Sequence, residues 1–172
     1  LRKIYDYHIG NWTEDYDQGY VEYALKVCDT WMASTFYSYQ IRMQVALGCF
    51  DKATDSLYQV KKLWGYFNDE YCKSIFYQGI ATFSLWKRDL INGASYIDEG
   101  VSHIYKLGHA QITVNYTGLM AMILIHAGDI DEAEKLISKG REIASKEKQF
   151  APHFYVSFLN AIYLLNINRL RM

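Results

Sequence analysis

The chain has 172 residues, 51% of them apolar and 22% charged, enough for one domain with a sizeable buried core. Eighteen basic and 19 acidic residues leave a formal charge of −1, without the basic stripe that neutralises phosphates, which argues against direct nucleic-acid binding. The longest apolar stretches, such as residues 121–125, are far too short to cross a bilayer, so no membrane span is expected.

From the N-terminus, residues 13–28 form a first amphipathic segment, opened by Thr13 and Glu14 and carrying Tyr16, Tyr20, Tyr23, Ala24 and Val27 at mostly helical spacing. It reads as the second helix of a divergent leading hairpin, residues 1–30. A helix over 31–47 and a partner over 51–64 follow, then a connection holding Gly65, Phe67 and Asn68. The next pair covers 70–86 and 89–106, ended by Gly108, and a third covers 110–126 and 130–146. A last helix over 152–167 opens at Pro152, the only proline, at a position where its missing N–H would have no helical partner. Strict apolar alternation of the strand kind is absent over any useful length. The fold class is therefore all-α, with about 7–8 helices.

Shifting the chain by 40 residues superposes Ala53, Gly93 and Ala133, then Leu57, Ile97 and Ile137, then Val60, Gly100 and Gly140. Phe36, Phe76 and Tyr116 coincide in the same register, as do Ile41, Ala81, Ala121 and Ala161. A small residue at one place on successive helices lets a neighbouring helix approach closely, and an aliphatic one turn later fills the space beside it. A repeat of this length signals stacked helical hairpins, here over 31–68, 69–108 and 109–148, with a terminal helix in 149–172. The turns read Gly48-Cys49-Phe50-Asp51, Lys87-Arg88-Asp89-Leu90 and Gly128-Asp129-Ile130-Asp131, where glycine or a polar pair stops one helix and aspartate caps the next. In the third repeat, Asp131 with Lys135 and Glu142 with Lys146 have the spacing and order of helix ion pairs.

The segment Ala127-Gly128-Asp129-Ile130-Asp131-Glu132-Ala133, followed by Ile137 and Gly140, resembles the turn and second helix of a tetratricopeptide repeat. Residues 48–60 follow the same pattern through Phe50, Asp51, Ala53 and Leu57, whereas the second repeat departs from it at Arg88 and Gly93. The spacing of 40 is similar to the longer repeats of maltose-activator-type regulators and related signalling ATPases. The resemblance implies antiparallel hairpins stacked as a right-handed solenoid. It also implies that the first helix of each pair lines a concave surface, exposing Thr35, Ser38, Tyr39 and Arg42, then Ile75, Gln78, Gly79 and Thr82, then Asn115, Gly118, Leu119 and Met122. From these, Thr35, Ser38, Tyr39, Arg42, Gln78, Thr82, Asn115 and Met122 are the candidate partner-binding residues. Arg42 is the only basic residue in the set, which disfavours a clamp on a terminal carboxylate.

No catalytic, metal or cofactor site is expected. His8, His103, His109, His126 and His153 form no i, i+4 pair, Asp98 and Glu99 diverge on one helix, and no phosphate-binding glycine loop is present. Sixteen tyrosines and four tryptophans suit helix packing, with Tyr37, Tyr39, Tyr66 and Tyr77 as candidates for a recognition surface. Cys28, Cys49 and Cys72, odd in number and widely spaced, fit free thiols in the cytoplasm.

The sequence thus reads as a non-enzymatic module of a larger cytoplasmic signalling or transcription-regulating protein, binding a protein or peptide. A small-ligand sensor, closing an inter-helix groove on an effector, is the alternative. The final helix spreads Phe154, Phe158, Leu159, Ile162 and Leu165 around much of its surface, so residues 152–167 are expected to self-associate or to stack on a further repeat.

Overall fold

A computed structural model describes residues 18–104, 107–146 and Leu164. Among them the chain forms α1 (Gln18–Lys26), α2 (Thr30–Ala46), α3 (Phe50–Lys62), α4 (Glu70–Trp86), α5 (Leu90–Ile104), α6 (Ala110–Ala127) and α7 (Ile130–Ser145). A 3₁₀ turn at Trp64–Tyr66 falls in the connection after α3, and no strand occurs among the described residues. The protein is all-α. The expected helix over 152–167, with its self-association face, lies outside the described residues apart from an exposed Leu164.

The helix ends explain why the elements stop where they do. Gly48, Arg88 and Gly128, spaced by the repeat, all adopt the left-handed conformation, at φ 77°, 59° and 86°. At each, the next N–H reaches back five residues: Cys49 to the Gln44 carbonyl at 2.7 Å, Asp89 to Ser84 at 2.9 Å and Asp129 to Leu124 at 2.9 Å. The left-handed residue itself bonds three residues back, to Val45, Leu85 and Ile125. This pair of bonds satisfies carbonyls that a helix end otherwise leaves without partners. Arg88 holds the conformation without glycine's freedom, at a cost of about 1 kcal/mol.

Aspartates supply most of the opposite ends. Asp29 accepts from the Met32 N–H at 2.9 Å and Asp69 from the Cys72 N–H at 2.8 Å, while Asp129 accepts from Glu132 at 3.4 Å. Asp51 corrects one expectation, for it sits inside the first turn of α3, and Cys49 takes the cap position without a side-chain capping bond. In α7, Lys146 pairs with Glu142 at 2.8 Å as its spacing implies, but Lys135 bonds Glu132 at 2.5 Å rather than Asp131.

Helices joined by such short turns fold back on one another, so α2 packs on α3, α4 on α5 and α6 on α7. The first helices also pack in series, α2 on α4 and α4 on α6. All nine residues of the superposed small and aliphatic sets are buried, from Ala53, Gly93 and Ala133 to Val60, Gly100 and Gly140. Gly100 shows why size matters there: its missing side chain leaves the space into which the Tyr116 ring enters, and the Tyr116 hydroxyl then donates to the Ser74 carbonyl.

Serial packing of the first helices overturns one expectation drawn from the resemblance. Thr35, Ser38, Ile75, Gln78, Gly79, Thr82, Gly118 and Leu119 were expected to be exposed on the inner face, and all are buried. Gly79 is the physical reason at the α2–α4 crossing. A side-chain carbon there would lie 3.2 Å from Ser38 Oγ and 3.3 Å from Ser38 Cα, so anything larger than glycine would push the helices apart by a few tenths of an ångström. Residues that one isolated helix would offer to solvent are instead sealed in its seam with the next.

Cys72 is fully buried near the start of α4, and desolvation with the neighbouring Asp69 pushes its thiol up to about 12 from an ordinary 9.0. At pH 8 its thiolate fraction is about a thousandfold below that of an ordinary thiol, so iodoacetamide is expected to modify exposed Cys28 and spare Cys72 until the chain unfolds. Because the folded value lies above the unfolded one, this contribution to stability is complete below pH 9.0 and disappears as pH rises toward about 12. Tyr116, also raised by burial, acts in the same direction. Urea unfolding between pH 8 and 11 should therefore show falling stability, less steeply in Cys72→Ala; a flat profile would contradict the assignment.

Candidate functional site

Three first helices together form one concave feature, a cavity of about 240 Å³. Ser38, Tyr39 and Arg42 reach it from α2, and Tyr71, Ile75 and Gln78 from α4. His109, which caps α6, completes the lining with Gln111, Ile112 and Asn115. The cavity crosses the helices obliquely, from the second half of α2 through the first half of α4 to the first two turns of α6.

Its chemistry is polar and lacks acids. Three amides, a guanidinium and an imidazole line it, together with two isoleucines, and no carboxylate does. The Arg42 guanidinium lies 5.6 Å from the centroid of the Tyr39 ring, an arrangement that holds the cation against an aromatic face. On the N-terminal side, Trp31, Tyr71 and His109 form a run of rings across α2, α4 and the start of α6, with centroids 6.2 Å and 5.7 Å apart.

Gln78 and Ser38 are the unusual members. They are 1% and 3% exposed, yet Gln78 Nε2 and Ser38 Oγ have no hydrogen-bond partner among the described residues. Leaving such groups dry and unpaired costs about 1–3 kcal/mol each, so a fold retains them chiefly where something else satisfies them. Thr35 Oγ1 and Ser74 Oγ are buried and unpartnered too, but neither residue lines the cavity. A second buried glutamine gives the contrast: Gln44 accepts from Ser56 Oγ at 2.9 Å.

Of the eight candidate binding residues, the cavity brings together Ser38, Tyr39, Arg42, Gln78 and Asn115 and leaves out Thr35, Thr82 and Met122. Its oblique course separates them, since Thr82 and Met122 lie farther along α4 and α6 than the cavity extends. Sequence reasoning missed Tyr71, His109, Gln111 and Ile112. Tyr71 and Gln111 stand one turn before Ile75 and Asn115, so extending the inward set back by four residues would have found both.

The tyrosines singled out for recognition divide in the same way. Tyr39 lines the cavity and Tyr66 is exposed, but Tyr37 is half-buried against the core. Tyr77 stacks on His103 at 5.6 Å and meets Trp64 edge-on at 5.1 Å, while His103 Nδ1 lies 2.8 Å from Glu70 Oε2. That cluster ties α4 to α5 and to the 3₁₀ turn, which is a packing role.

Among the described residues no group of three or more His, Cys, Asp or Glu side chains converges to hold a metal. No described helix is long and apolar enough to cross a membrane. The cavity lining places no carboxylate beside His109. Fold and site together define an all-α protein of paired helices with a polar cavity between its first helices. No protein-family model, curated protein or solved structure matches the chain significantly.

Proposed function

We propose that the chain is a non-catalytic recognition module that binds a peptide or protein segment along α2, α4 and α6, within a cytoplasmic signalling or transcription-regulating protein. The observation that carries this reading is the cavity, which Ser38, Arg42, Gln78, His109, Gln111 and Asn115 line from three helices. Its size supports a segment over a whole small molecule. Sites for drug-sized ligands run to about 300–1,000 Å³, whereas 240 Å³ suits one side chain of something larger. Tetratricopeptide-like stacking of the hairpins would give such a segment a continuous surface. The cytoplasmic setting is supported by Cys28, Cys49 and Cys72, none of which forms a disulfide.

A second reading is the small-ligand sensor. It is favoured by the way one cavity touches three helices, since an occupant would couple their mutual angles. Selection from a displayed library of linear peptides tests the leading reading. Tyr39→Ala with Asn115→Ala is expected to weaken the selected peptides by at least tenfold, about 1.4 kcal/mol, in a fluorescence-anisotropy titration. Unchanged affinity in that variant would move the binding surface away from the first helices.

A further inference from the structure

We propose that the α4–α5 turn docks against the α6–α7 turn of a second copy of this chain, in a two-fold pair held by reciprocal charge contacts beside an apolar centre. The repeat itself supplies the comparison that marks this turn. Trp86, Arg88 and Ile91 stand where the other two repeats have Ala46 and His126, Gly48 and Gly128, and Asp51 and Asp131. Each departure works against the fold. Arg88 holds a left-handed φ of 59° that its counterparts leave to glycine. Ile91, in the first turn of α5, forgoes the acid that complements a helix N-terminus, and at 86% it is the most exposed large apolar residue among the described ones. Trp86, at the end of α4, is 51% exposed. Local rules broken together, with no gain to the fold, mark a functional surface, and tryptophan and arginine are the residues that carry most of the energy at interfaces.

Charge identifies the partner. Asp89 is occupied in capping α5, accepting from the Asn92 N–H at 3.4 Å and from the Asn92 side-chain amide at 2.7 Å. Lys87 lies over the Phe83 and Phe50 rings at 5.2 Å and 6.0 Å, and Arg88 forms no ion pair among the described residues. The turn thus presents cations framed by apolar side chains, which an acidic surface complements. The neighbouring turn is such a surface. Antiparallel hairpins bring the α4–α5 and α6–α7 turns to the same end of the stack, where Asp131 and Glu134 are exposed and outside any ion pair among the described residues, Lys135 being taken by Glu132. Exposed Ala127 and half-buried Ile130 offer apolar contact beside them. A two-fold axis between two copies sets the basic turn of each against the acidic turn of the other, so one arrangement satisfies both. The same acids would repel an anionic lipid surface, which favours the second copy over a membrane.

Sedimentation velocity of the full chain over a concentration series tests the proposal, and a reversible dimer is expected. Arg88→Gly with Ile91→Asp gives this turn what the other repeats have. That double variant should melt at or above the parent's temperature, yet dimerise at least about tenfold more weakly. Arg88→Glu and Asp131→Arg should each weaken the dimer to a similar degree. Mixed in equal amounts, these two single variants should associate as tightly as the parent, because the mixed pair restores opposite charges at both contacts. A chain that stays monomeric throughout overturns the proposal. So does a dimer that the double variant forms equally well, since it would belong to another surface, and so does a mixture no tighter than its components. Binding of a monomeric parent to phosphatidylserine vesicles, lost in the double variant, would assign the turn to a membrane instead.

Discussion

Gly100→Ala is expected to cost about 3 kcal/mol, at the upper end of what overpacking a core produces. The added carbon would enter the volume of the Tyr116 ring, lying only 2.6 Å from Cε1 and closer still to the hydroxyl end. Tyr116 is 1% exposed, and its hydroxyl is tethered to the Ser74 carbonyl on α4, so the ring has no free path outward. Relief requires either moving α5 off α6 or breaking that hydrogen bond. In a chain of this length the loss corresponds to roughly 6–12 °C in melting temperature. Tyr116→Phe in the Gly100→Ala background should not rescue it, because the ring carbons remain in the way. Tyr116→Val should recover part of the loss, which makes the pair strongly non-additive. A Gly100→Ala protein that melts like the parent would show that Tyr116 does not occupy this slot.

The same pair shows what could be read from the sequence. Val60 stands at Gly100's place in the register and Phe76 at Tyr116's, and both are buried in one cluster. Repetition thus identified the contact positions without revealing that one repeat trades a valine for a glycine to admit a tyrosine hydroxyl. Helix limits were legible to within a few residues, because left-handed turn positions at Gly48, Arg88 and Gly128 recur with the repeat and end α2, α4 and α6. The inner face was less legible. Periodicity within one helix reports its own apolar and polar sides, and Ser38, Gln78 and Thr82 look like solvent positions on that basis. Their burial comes from a neighbouring first helix 40 residues away, held close by Gly79. The candidate site was partly legible for the same reason: equivalent positions were found, but the oblique course that selects Tyr71 over Thr82 arises only when three helices are placed together.

Exchanging the buried glutamines for methionine is expected to change stability with opposite signs. Gln78 and Gln44 are 1% and 3% exposed, and methionine is close to both in length and volume, so packing changes little in either case. What differs is the hydrogen bonding. Gln78→Met removes an unpartnered donor and is expected to raise stability by about 1–2 kcal/mol, since an unpaired buried group carries its full desolvation cost. Gln44→Met removes the acceptor of the Ser56 hydroxyl, which is itself buried, and should lower stability by about 1–2 kcal/mol. Urea titrations of the two variants beside the parent measure both changes. If Gln78→Met proves as destabilising as Gln44→Met, the Gln78 amide is satisfied within the folded chain.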